Sequence, residues 1–90
     1  MIESNVYKPW ALVRINGVLT LFYITSYGSS GGGPVGGAIT GYRGYPADDT
    51  GRVAPGGDSV WVNPRDFIRD WRTRPSTVNL YKAIGVATAA

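Results

Sequence analysis

The chain has 90 residues and a net charge of +3, from 9 basic and 6 acidic side chains, and it contains neither cysteine nor histidine. That length supports one domain, with roughly 60–65% of the unfolded surface buried and so one small core. The absent cysteine excludes disulfides, thiol nucleophiles and cysteine-held zinc or clusters, while the absent histidine excludes Ser-His-Asp chemistry and imidazole-ligated metals.

Met1-Ile2-Glu3-Ser4-Asn5 shows no basic stretch leading into an apolar run, so no secretory signal is read there. No apolar segment reaches the roughly 18 residues of a bilayer span. The chain is expected to be soluble and intracellular where made.

The clearest element is a hairpin. Trp10 to Ile15 and Val18 to Thr25 are rich in β-branched, aromatic and aliphatic residues, and Asn16-Gly17 separates them. Asn-Gly suits a two-residue type I′ turn, whose central residues both need positive φ. Such a turn pairs Ile15 with Val18, Val13 with Thr20 and Ala11 with Phe22. One face then holds these residues and Ile24; the other holds Trp10, Leu12 and Arg14 across from Tyr23, Leu21 and Leu19. Both faces are apolar, whereas a half-buried hairpin alternates apolar with polar. Both therefore need a cover.

Residues 26–58 hold 11 of the 13 glycines and read as a Gly-rich loop region, with short strands expected at Ala38 to Tyr42 and, just beyond, Ser59 to Val62. In the C-terminal segment, Asn63 suits an N-cap, Pro64 the first helical position and Asp66 the first turn, which predicts a helix ended by Pro75. Its apolar face would be Phe67, Ile68 and Trp71, with Arg65, Arg69 and Arg72 forming a stripe beside it. From Ser76 to Ile84 a second short helix is favoured over a strand, with Ser76 as N-cap and Gly85 as C-terminal cap. Residues 65–90 carry five bases and two acids, so the whole +3 belongs to the C-terminal third.

Three motifs invite sharper readings. Asp49-Thr50-Gly51 is the triplet of aspartic proteases, but Tyr45-Pro46-Ala47-Asp48 precedes it where that chemistry needs an apolar strand, so an Asp-rich surface turn is expected. Gly31-Gly32-Gly33-Pro34-Val35-Gly36 formally fits a dinucleotide fingerprint, yet no strand enters it directly and no helix can follow it. The third is the arginine stripe with Arg74, which could hold phosphates, together with Tyr42-Arg43-Gly44-Tyr45, which could stack bases.

The expected fold is α+β: a small antiparallel sheet or open barrel of three to five strands begun by the N-terminal hairpin, with one or two short C-terminal helices. The divisions are 1–25 hairpin, 26–58 Gly-rich loop region, and 59–90 strand plus basic helical segment. No catalytic, cofactor or metal residues are assigned. The expected role is a non-enzymatic subunit that docks on a larger assembly, such as a virus or phage particle or another multi-subunit complex. Docking, or self-association, would use the apolar hairpin face (Trp10, Leu12, Leu19, Leu21, Tyr23) and the Gly/Tyr-rich loop. The alternative is a nucleic-acid-binding module built on Arg65, Arg69, Arg72, Arg74, Tyr42 and Arg43.

Overall fold

The computed structural model describes residues 8–29, 39–53 and 56–89. The glycine tract from Gly31 to Gly37 lies outside them. Five strands and one helix follow in chain order: β1 Trp10–Ile15, β2 Val18–Ser29, β3 Ile39–Ala47, β4 Val60–Val62, β5 Phe67–Trp71 and α1 Thr77–Ala89. The strands form one antiparallel sheet in the order β4-β3-β2-β1-β5.

The hairpin forms as the turn chemistry requires. Asn16 and Gly17 have φ of 53° and 81°, and the register pairs Ile15 with Val18, Val13 with Thr20 and Ala11 with Phe22. Its two faces seed two separate cores.

On one face Ala11, Val13, Phe22 and Ile24 pack with Val62 of β4, supported by Tyr42 and Phe67. This contact needs a strongly coiled sheet. In a flat sheet β3 and β5 would lie three strand spacings apart, about 14 Å, yet the rings of Tyr42 and Phe67 stack with centroids 4.7 Å apart. The coiled sheet thus covers its own concave face.

The opposite face is covered by α1. Leu80 and Ala83 pack on Leu12 and Leu21, with Trp10, Leu19, Ile68, Trp71 and Ile84 around them. The helix begins where Ser76 predicts: the Asn79 N–H donates to Ser76 Oγ at 3.1 Å and the Leu80 N–H to the Ser76 carbonyl at 2.8 Å. It does not stop at Gly85 but runs on to Ala89.

Two expectations are corrected. The helix predicted from Asn63 is a single 3-10 turn, Pro64–Asp66, without a side-chain cap, and the chain turns extended at Phe67. The reason lies in β1. Ala11, Leu12 and Val13 are fully buried, so their backbone groups need partners on both edges, and β5 supplies the second edge. Phe67, Ile68 and Trp71 therefore serve as a strand, and α1 provides the cover assigned to them. The Gly-rich middle is likewise more ordered than its composition suggests, since β2 reaches Ser29 and β3 runs for 9 residues.

Candidate nucleic-acid interface

The α1 side of the sheet is only partly covered, and its open part concentrates aromatic and basic residues. The register places Trp71, Trp10, Tyr23 and Tyr45 directly opposite one another on β5, β1, β2 and β3, a row of four rings across four strands. Trp10 meets Tyr23 edge-on with centroids 4.9 Å apart. Trp10 and Trp71 are half-buried at the border of α1, whereas Tyr23 keeps 37% of its surface exposed.

Beyond this row lies Trp61 of β4, paired with Arg43 of β3 and 42% exposed. Its indole rests on a floor of glycine. A Cβ at Gly41 would sit 2.2 Å from the ring and one at Gly28 2.9 Å from it, so a side chain on either strand would displace the indole from this seat. The Arg43 guanidinium lies 5.7 Å from the Trp61 centroid and donates to Ser59 Oγ at 3.1 Å. At the far side, Arg69 lies 4.6 Å from the centroid of Trp71. Strand alternation gives this face Arg14, Arg43 and Arg69 and no carboxylate from the strands; Asp49, in the turn after β3, borders the same side beside Leu19, Leu21 and Ala47.

The residues expected to form an open apolar patch divide. Leu12 and Leu21 are 0% and 3% exposed beneath α1, which corrects the premise that this face lies open. Trp10 and Leu19 are half-buried against the same core. Tyr23 alone of the five is exposed.

The arginine stripe also divides, because the helix that would align it is absent. Arg65 is exposed in the 3-10 turn, and Arg69 lies on β5. Arg72 follows the strand, exposed. Arg74 reaches back to the Thr50 carbonyl. Tyr42 points into the concave core, where burial, and then the charge of Asp70, hold its phenol above the usual tyrosine value. Only Arg43 and Arg69 of this set join the aromatic face.

Tyr45, part of the segment expected to stack bases, and Trp61 complete that face; only Trp61 was not assigned to it from sequence. Glycines set within strands opposite a tryptophan were the available signal.

The Asp49-Thr50-Gly51 segment is an exposed turn. Asp48 Oδ1 accepts hydrogen bonds from the Thr50 N–H (2.9 Å), the Thr50 hydroxyl (2.6 Å) and the Arg52 N–H (2.9 Å). Asp49 accepts from the Tyr81 hydroxyl at 2.6 Å, which ties α1 to the turn. No group of acidic residues among the described residues is placed to hold a metal ion, and no helix among them is long and apolar enough to cross a membrane.

No family model matches the chain, and no characterised protein or solved structure is found to be similar to it.

Proposed function

We propose that this protein is a non-enzymatic binding module that holds a single-stranded nucleic acid on the open, aromatic part of its sheet. One observation carries the reading: this face combines exposed rings with arginines, its strands contribute no carboxylate, and the nearby Asp49 is engaged by the Tyr81 hydroxyl at the helix side. Bases offer flat π surfaces to Trp61 and Tyr23, and their phosphates are the counter-charge for Arg43 and Arg69. Stacking of this kind contributes about 1–3 kcal/mol per base and tolerates any sequence. With a net charge of +3 the electrostatic share is modest, so binding is weak and mainly stacking-driven.

The test is fluorescence anisotropy of a labelled oligothymidylate over a salt series. Trp61→Ala and Tyr23→Ala should each weaken binding by about 5- to 100-fold. Arg43→Ala should lower the salt slope by about 0.7, the value for one single-strand phosphate. Affinity unchanged in Trp61→Ala, or no binding at low salt, would overturn the proposal.

A further inference from the structure

We propose that the free edge of β5, with the groove between β5 and α1, is a docking site for an extended segment of a protein partner that carries apolar and acidic side chains together on the face turned toward α1. The site shares Arg69 and Trp71 with the border of the aromatic face but turns on the strand edge and the helix, not on Trp61 or Tyr23. Among the described residues β5 pairs only with β1, so its outer edge presents backbone donors and acceptors to an added strand. Beside it runs a groove of about 520 Å³ between the strand and the helix. Its apolar lining is Ile68, Trp71, Ala83 and Val86, and its charged lining is Arg69 and Lys82, with no carboxylate.

Each feature selects a property of the occupant. The unpaired edge selects an extended backbone, since only a strand matches its spacing. Five residues of β5 span about 17 Å at the usual strand rise, enough edge for a segment of five or so residues, and the groove beside it is lined from Ile68 to Trp71 on the strand and from Asn79 to Ala87 on the helix. Every second residue of the segment faces the groove, and the apolar lining selects hydrophobic side chains at some of these positions while the cations select an acidic one among them. Val86 is 74% exposed, the most of any large apolar residue among those described, and would be covered by them. Arg69 and Lys82 select carboxylates. Arg69 is already held over Trp71, so little freedom is lost when it pairs.

The experiment uses the whole chain and a synthetic valine–glutamate peptide, Val-Thr-Glu-Thr-Val, which sets both valines and the glutamate on one face of an extended strand, followed through backbone amide shifts. The largest shifts should fall on Phe67–Trp71. The valine–lysine counterpart should bind at least about tenfold more weakly, and N-methylation of alternate peptide bonds should abolish binding by removing its donors. Lys82→Glu, at an exposed helix position, should weaken the valine–glutamate peptide about fivefold or more while leaving the far-UV circular dichroism unchanged. Equal binding of the N-methylated peptide, or shifts centred on Trp61 instead of β5, would overturn the proposal. So would oligothymidylate moving the β5 amides more than the peptide does, or dimerisation of the chain through β5. Trp61→Ala should leave peptide binding intact, which separates this site from the nucleic-acid face.

Discussion

The Trp61 indole lies across the backbone of Gly41 so closely that a Cβ there would meet three of its ring atoms at 2.2, 2.4 and 2.7 Å. Gly44, three residues on, is equally crowded, but by the Tyr23 carbonyl oxygen at 2.0 Å. The two glycines should respond differently to alanine. Trp61 is a half-exposed side chain and can swing away, so Gly41→Ala should cost little stability yet displace the ring and weaken oligonucleotide binding. At Gly44 the obstacle is the backbone of β2 beside a register shift, which cannot yield without breaking pairing. Gly44→Ala should cost about 1–3 kcal/mol, the usual range for overpacking. Urea unfolding of both variants, with the Trp61 indole N–H resonance as position marker, checks the contrast.

Gly17 offers a second kind of constraint. Nothing lies within 4 Å of a Cβ built there, and its φ is 81°. Gly17→Val should therefore be destabilising through backbone strain alone, by about 1–3 kcal/mol. Gly17→Asn, which tolerates the left-handed region, should lose much less. Equal melting temperatures for the two variants would contradict the turn.

These cases show which parts of the molecule were legible in the sequence. Asn16-Gly17 is a local instruction, and it set the pairing from Ile15–Val18 to Trp10–Tyr23 without help from the rest of the chain. Ser76 is another, and α1 starts beside it. The segment from Asn63 misled because its local signals, Asn-Pro and an early Asp, support one helical turn. The choice beyond that turn was made by the unpaired, buried edge of β1. The candidate site was the least legible part. Its glycines weaken strands by propensity, and their use as a floor for Trp61 exists only once β2, β3 and β4 lie side by side.

Asp48 and Tyr42 give the fold a pH dependence at opposite ends of the scale, and Tyr81, raised first by its hydrogen bond to Asp49, adds to the alkaline end. Asp48 is held below the usual carboxylate range, first by the Thr50 hydroxyl and then by the Arg52 N–H. A lowered folded value stabilises above the unfolded one, so this contribution is lost as pH falls below about 4. Tyr42 is raised, first by burial and then by Asp70. Its neutral phenol favours the fold, a contribution complete below about pH 10 and lost as pH rises beyond it. Asp48→Ala should flatten the acid limb of a stability–pH profile, and Tyr42→Phe the alkaline limb. Thermal melts across pH check both. A Tyr42→Phe profile with an unaltered alkaline limb would count against the buried, raised phenol.

Arg43 and Arg74 have the same side chain but opposite tasks, and the last prediction separates them. Arg74 donates to the Thr50 carbonyl, and its side chain fills the space where a Cβ of Gly51 would project, with Cδ 2.1 Å from that position. It fastens the start of the helical segment to the turn after β3, so its removal acts on the fold. A hydrogen bond from a charged donor contributes about 1.5–3 kcal/mol at most, and exposure reduces that here. Arg74→Ala should therefore lower the unfolding midpoint by a modest but measurable amount and leave oligothymidylate affinity unchanged where the protein is folded. Arg43 is exposed on β3, and its partners, the Trp61 ring and the Ser59 hydroxyl, belong to the open face. Arg43→Ala should leave the midpoint nearly fixed while reducing affinity and salt slope together. Arg43→Lys should restore part of the slope, which follows charge, but not the affinity that depends on a planar guanidinium beside Trp61. If Arg74→Ala weakens binding as much as Arg43→Ala at equal stability, the phosphate path follows the basic C-terminal residues, and the aromatic face is not the nucleic-acid site.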